Sequence, residues 1–390
     1  MQNFDFHNPT RIAFGQGRIA DLATLVPANA RVLILVGGAS AEKTGTLAEV
    51  RQALGARSHA TFSGIEPNPH YETCLRAVEQ VRAHGADFLL AVGGGSVIDA
   101  AKFIAAAALY TEGDPWTLVE QRGRTIERAL PFGSVLTLPA TGSEMNSGSV
   151  ITHHGQGFKR AFSSPHCYPQ FSVLDPTKTY TLPLKQLANG VVDAFVHTTE
   201  QYLTYPVGGG VQDRFAEGLL MELLEVGPRI VAAPEQPDYT DRANMVWAAT
   251  WAINGMIGSG VPQDWATHMI GHELTALYGI DHGRTLALVL PSLLHERRAP
   301  KRAKLLQYAT RVWGLGEAAG DEEARITAAI ERTRAFFESL GVPTRLSAYG
   351  LGAEAVDAVV ANLEAHGMTA LGEHRDLDAA AARRILTAAL

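Results

Sequence analysis

The sequence predicts an N-terminal α/β domain built on a doubly wound parallel sheet, followed by an all-α C-terminal domain. Three observations predict it. Up to about residue 178, apolar runs that end in glycine alternate with stretches of helical period, the pattern of buried parallel strands joined by helices. Beyond that point the helical period continues almost without strand-like runs. The chain has 390 residues, more than one hydrophobic core usually serves, so two domains are expected, 1–178 and 179–390.

The elements follow in order. FDFHNPTRIAFGQG reads as short extended segments around a proline turn, and Arg18–Leu25 as helix. RVLILVGGAS (31–40) is a continuous apolar run closing in glycine, as a buried strand entering a phosphate-binding turn would be; the KTGTLAEVRQALGA after it has helical spacing and stops at Gly55. ATFSGIEPNP gives a short strand and a proline-rich turn, and YETCLRAVEQVRAHG an amphipathic helix with a glycine stop. DFLLAVGGGS (87–96) is a second buried strand leading into the helix VIDAAKFIAAAAL, while SVLTLPATGSEMN (134–146) and FSVLDP (171–176) each supply another. Pro176 and Pro183 break the pattern near LDPTKTYTLP. From GVVDAFVHTTEQY (190–202) to DAAAARRILTAAL the remaining segments all carry helical spacing.

Composition narrows the function. Hydrophobic residues make up 46% and charged residues 19%, a globular balance. The net charge of -7 and a pI near 6.1 provide no general field for polyanions, which argues against nucleic acid or an anionic membrane and for a small-molecule substrate. Cys74 and Cys167 form neither a disulfide framework nor a C-x-x-C pair. The N-terminus lacks the apolar core of a signal peptide, and no run reaches the length of a membrane span, so a cytoplasmic protein is expected.

Two glycine clusters end apolar strands and precede helices: Gly37-Gly38-Ala39-Ser40 and Gly93-Gly94-Gly95-Ser96. Glycine lets backbone approach phosphate oxygens, and a helix N-terminus offers free N–H groups. Neither cluster matches G-x-G-x-x-G, and one such turn alone can be a tight connection. Two in one sheet, with Thr137, Thr141 and Ser143 at the end of a third strand, point to a nucleotide. NAD selectivity commonly relies on a carboxylate that would repel the 2′-phosphate of NADP. Here Ala39 leaves room, Ser40 supplies a hydroxyl and Lys43 a cation, which favours NADP(H). Asp99 and Lys102 open the next helix, either as an ordinary helix-start charge pattern or as cofactor contacts.

Asp193 and His197 lie one helical turn apart, so carboxylate and imidazole can converge on a cation. By itself the pair fits a solvated helix face better. What raises it is HMIGHELTALYGIDHG (268–283), with His268 and His272 at i, i+4 and His282 beyond a break at Gly279. H-E-x-x-H is not completed, because position 276 is Ala. One Asp with several imidazoles suits Fe²⁺ or Zn²⁺ with a position left for a substrate oxygen.

PTRIAFGQG, IEPNP, GGGSVIDAAK, LPATGSE, LDP, GVVDAFVHTTEQY and the His-x-x-x-His…Asp-His-Gly block occur in the order found in the iron-containing, or group III, alcohol dehydrogenases. The chain resembles that family from residue 9 to at least residue 291, and within it the NADPH-dependent, broad-substrate aldehyde reductases of butanol-dehydrogenase type. The resemblance implies a Rossmann-like sheet domain plus a helical domain, of dehydroquinate synthase-like architecture, and commonly a homodimer. It implies metal ligands Asp193, His197, His268 and His282, with His272 a non-ligand near the substrate and a possible proton relay. It implies cofactor contacts from Gly37, Gly38, Ser40, Gly94, Gly95, Ser96, Asp99, Thr137, Thr141, Ser143 and Lys159. The expected reaction is hydride transfer between NADP(H) and an aldehyde or primary alcohol. Two other chemistries fit a cation on this architecture: a metal-dependent hydrolase, and a lyase of dehydroquinate-synthase type, against which the Ala39–Ser40 turn argues.

Overall fold

A computed structural model describes residues 1–390. Its strands are β1 (Arg11–Phe14), β2 (Val32–Val36), β3 (His59–Phe62), β4 (Phe88–Gly94), β5 (Phe132–Leu138), β6 (Gly148–His153), β7 (Phe158–Ser163) and β8 (Phe171–Leu174). The helices of the first half are α1 (Leu22–Leu25), α2 (Ser40–Lys43), α3 (Thr46–Leu54), α4 (Tyr71–His84), α5 (Gly95–Ala107) and α6 (Trp116–Glu120). Those of the second half are α7 (Leu184–Tyr202), α8 (Gly210–Ala232), α9 (Tyr239–Trp251), α10 (Ala266–Tyr278), α11 (His282–Glu296), α12 (Arg302–Arg311), α13 (Glu322–Ser339), α14 (Ala353–Ala365) and α15 (Ala379–Thr387).

Six strands form one parallel sheet in the order β1-β8-β5-β4-β2-β3. The apolar runs of β2 and β4 are continuous because both faces of the sheet are covered. On one face Leu33, Leu35, Leu89 and Ala91 pack with Cys74, Val78, Ile98 and Phe103 of α4 and α5. On the other, Val32, Ile34, Val36, Leu90 and Val92 pack with Leu22, Leu47, Val50 and Leu54. From β2 the chain moves outward to β3 and then returns to place β4 on the opposite side of β2. That reversal opens a crevice at the carboxyl ends of β2 and β4, where open α/β sheets bind ligands. Val36 pairs with Val92, so Gly37 leaves β2 beside Gly93, which stays in β4 paired with Leu136 of β5.

The doubly wound sheet and the helical second half are as the sequence predicts. Two features were not anticipated: the short helix α6, and the separate antiparallel hairpin formed by β6 and β7.

The chain divides into two compact units, 7–182 with 237–250, and 183–236 with 251–390 and 1–6. Relative to a cut near residue 178, α9 is thus exchanged into the unit of the strands. Arg242 on α9 donates to the Thr179 carbonyl at 2.9 Å, Thr250 donates to buried Glu144 at 2.6 Å, and the Trp247 ring meets Phe14 edge-on at 5.6 Å.

In the other unit α7 is buried along most of its length. Phe195 packs against Phe336 and Phe337 of α13, with ring centroids 5.3 and 5.5 Å away. Gly227 lets α8 approach closely, since a Cβ there would stand 2.9 Å from Val191. No helix is long and apolar enough to cross a membrane.

Candidate metal centre and cofactor turns

Three helices of one unit build the histidine site. On α7, Asp193 and His197 are a turn apart, and Pro183 starts the helix. α10 begins after Trp265, whose φ of 62° is left-handed, and ends at Gly279, also left-handed, so that the chain reverses directly into α11 at His282. Asp281 pins that reversal to α7 by accepting from Asn189 at 3.0 Å and pairing with Lys185 at 2.8 Å. Gly271 lets α10 meet α11, where a Cβ would fall 2.9 Å from the Thr285 hydroxyl.

The result is convergence on one oxygen. Asp193 Oδ1 lies 3.6 Å from His282 Nε2, 3.8 Å from His268 Nε2 and 3.6 Å from His197 Nδ1. Ligand atoms of Asp193, His268 and His282 all lie within 4.8 Å of one another. His197 stands just outside that trio, its ring stacked on His268 at 4.6 Å. His272 is a further neighbour, with its ring 5.2 Å from that of His282.

A divalent ion fits this arrangement. Ligands about 2.1 Å from a tetrahedral ion stand about 3.4 Å apart, close to the observed separations. Asp193 Oδ1, His197 Nδ1 and His268 Nε2 are buried without a hydrogen-bond partner, a costly state for polar atoms unless a cation satisfies them.

The electrostatics agree. Burial would raise the Asp193 carboxyl, but His197, His282 and His268 outweigh it and hold it well below the usual carboxylate range. Burial pushes His197 down to about 4, against the pull of Asp193, so its ring is held neutral and able to ligate. Burial also opposes charge on His268, yet Glu200 and Asp193 raise it to about 9, so an ion bound here would displace the proton from its Nε2.

The residues expected to hold a nucleotide lie in the other unit, at the carboxyl ends of β2, β4 and β5. Gly37, Gly38 and Ser40 link β2 to α2, and Gly94, Gly95 and Ser96 link β4 to α5. Open space surrounds Gly38 where a Cβ would project, while a Cβ on Gly95 would fall 2.2 Å from the Thr141 hydroxyl. Thr137 is in β5, and Thr141 and Ser143 follow in the turn after it.

Asp99 is committed to the protein, accepting from Ser143 Oγ at 2.5 Å and the Val150 N–H at 2.8 Å. Lys102, fully buried, donates to Ser143, Asn146 and the Gly148 carbonyl. Lys159 on β7 donates to Asn68 Oδ1 at 2.8 Å.

Sequence reasoning missed three residues here. Asn68 takes a left-handed φ of 56° between its two prolines, and its N–H donates to Ser96 Oγ at 3.3 Å. Trp265 presents its ring edge-on to His197 and His268, 6.2 and 5.4 Å away. Glu200 lies seven residues after Asp193 on the same face of α7, a spacing visible in the sequence.

Residues 9–176 match the family model for iron-containing alcohol dehydrogenase, and residues 187–390 match that for the C-terminal part of the Fe-containing alcohol dehydrogenase family. The chain is 58% identical over 390 residues, all of both chains, to the NADPH-dependent aldehyde reductase YqhD of Escherichia coli K12. It is 39% identical over 394 residues, again all of both, to the probable NADH-dependent butanol dehydrogenase 1 of Bacillus subtilis. A crystal structure of E. coli YqhD superposes with a TM-score of 0.97 at 57% identity, covering 100% of this chain and 99% of that one. The NADH-dependent butanol dehydrogenase A of Thermotoga maritima superposes with a TM-score of 0.94 at 35% identity, with the same coverage. With both halves matched and such relatives aligned end to end, the chain belongs to the iron-containing alcohol dehydrogenase family.

Proposed function

We propose that this chain is a metal-dependent oxidoreductase that reduces aldehydes to primary alcohols with NADPH. The observation that carries the reading is the convergence of His268, His282 and His197 on Asp193 Oδ1, in a chain so similar to a named NADPH-dependent aldehyde reductase. Hydrolase and lyase chemistries are not favoured, because the relatives are named as dehydrogenases and reductases.

Asp193, His197, His268 and His282 would hold one Fe²⁺ or Zn²⁺. When bound, the ion supplies Lewis-acid polarisation of a carbonyl oxygen, and NADPH supplies the hydride. The protein's own work is orientation and proton supply. Asp193 contributes the negative charge that three neutral imidazoles lack. His272, beside His282, serves as the relay that brings a proton to the nascent alcohol oxygen.

Gly37, Gly38, Ser40, Gly94, Gly95 and Ser96 let backbone reach the pyrophosphate and adenosine ribose, with the N-termini of α2 and α5 behind them. Thr137, Thr141 and Ser143 line the same strand ends, Asp99 braces that turn through Ser143, and Lys159 reaches the nicotinamide ribose. The absence of an acid at Ala39 is what admits a 2′-phosphate.

A homodimer is supported by β1, which is an edge strand, and by exposed Phe4 and Phe6 just before it. The two free, buried cysteines accord with a cytoplasmic setting.

The test is to follow reduced-nicotinamide absorbance with NADPH and a short aldehyde, before and after chelation. Consumption should stop on removal of metal and return with added Fe²⁺ or Zn²⁺. Undiminished consumption by the chelated protein overturns the reading.

A further inference from the structure

We infer that Glu200 is the positioning residue of this metal centre: its buried carboxylate fixes the tautomer and orientation of His268. Its side chain is 1% exposed and lies on the face of α7 that carries Asp193 and His197. One oxygen, Oε2, pairs with His268 Nδ1. The other, Oε1, accepts the Thr267 N–H at 2.6 Å and the His268 N–H at 3.4 Å.

Trp265 at the N-cap of α10 provides no side-chain acceptor, and Asp264 Oδ1 takes only the first N–H, that of Ala266, at 3.0 Å. The first turn of a helix exposes N–H groups that need partners, and Glu200 supplies them from another helix. The Glu200 carbonyl also accepts the Asp264 N–H at 2.9 Å, tying the approach to α10 to the same residue.

The consequence for His268 is specific. A carboxylate can only accept, so the proton must sit on Nδ1, and the lone pair is left on Nε2, the atom 3.8 Å from Asp193 Oδ1. Backbone and ring of His268 are held by one carboxylate, which leaves its imidazole little freedom to turn Nε2 away. A carboxylate behind a ligating histidine also makes the imidazole a stronger donor, and loss of such a partner typically weakens metal binding about 10- to 100-fold.

The inference rests on the reading that Asp193, His268 and His282 hold the ion, so the experiment separates the two. Metal-free wild type, Glu200→Gln and Asp193→Asn are titrated with Zn²⁺ against a chromophoric chelator, and the melting temperature of each is taken with and without the ion. Gln keeps the shape and one acceptor for the α10 N–H groups but removes the charge. Positioning predicts zinc affinity about 10- to 100-fold weaker in Glu200→Gln and a smaller zinc-induced rise in melting temperature than in wild type.

A purely structural cap predicts equal lowering of both melting temperatures with affinity within twofold of wild type, which overturns the inference. If Asp193→Asn also binds zinc like wild type, the metal assignment itself falls. Should Glu200→Gln not fold, nitrogen-labelled histidine in zinc-loaded wild type gives the answer by NMR. His268 must carry its proton on Nδ1 and bind zinc through Nε2; the reverse arrangement overturns the inference.

Discussion

Gly283 tests how the centre is built without touching any ligand. It follows His282 in the first turn of α11, and its φ is not positive, so alanine is conformationally allowed there. Helix propensity alone would make Gly283→Ala stabilising by up to about 1 kcal/mol. Against this, the new Cβ would stand 2.5 Å from the Asn189 carbonyl oxygen and 3.1 Å from that residue's C and Cα. All three atoms are backbone of α7, so no rotamer change relieves the contact. Restoring ordinary separation of about 3.5 Å moves the start of α11 back by roughly 1 Å.

His282 moves with it, although metal sites tolerate only about ±0.2 Å in ligand distance. Crowding of this kind costs about 1–3 kcal/mol, so the metal-free variant should be less stable by up to about 2 kcal/mol after the propensity gain. Zinc affinity should fall at least about tenfold. Urea unfolding of the metal-free protein and a chelator-competition titration measure the two effects. A variant that is more stable than wild type and binds zinc within twofold of it refutes this account of α7 against α11.

Two further outcomes are expected. Ala39→Asp places a carboxylate in the exposed turn after β2, where repulsion of a 2′-phosphate of roughly 1–3 kcal/mol should raise KM for NADPH about ten- to a hundredfold while leaving NADH unharmed; equal effects on both coenzymes would contradict the assignment. Burial pushes Lys102 down to about 8 from 10.5, against the pull of Asp99, so between those values the unfolded chain holds more protons than the folded one and stability rises with pH. Relative to Lys102→Met, wild type should therefore gain up to about 3 kcal/mol between pH 8 and 10.5 and nothing below pH 8, as read from urea unfolding; a flat difference across that range would show that burial does not lower Lys102.

The parallel sheet was legible because β2 and β4, covered on both faces, leave unbroken apolar runs, each ending in a glycine turn. The β6–β7 hairpin was not, because Gly148–His153 and Phe158–Ser163 are short and only partly buried, with little apolar alternation to mark them. α9 was legible as a helix, but its place beside the strands depends on Glu144 and Thr179, which are distant in sequence and carry no local signal.

At the histidine site, the i, i+4 spacing and the Asp-His-Gly turn marked the residues that converge. Spacing could not separate His268 from His272; in the structure His268 Nε2 lies 3.8 Å from Asp193 Oδ1, whereas the His272 ring lies beside that of His282. Glu200 was overlooked because its partners, the N–H groups and ring of α10, come together only in the fold.

The central claim is that one ion held at Asp193 enables NADPH-dependent aldehyde reduction. Its most direct test measures metal content and NADPH consumption on the same preparations of wild type and Asp193→Asn, with folding verified by circular dichroism. The account predicts one ion per wild-type chain and one NADPH consumed per aldehyde, with metal and turnover both lost in Asp193→Asn. Wild-type turnover by metal-free Asp193→Asn would contradict it.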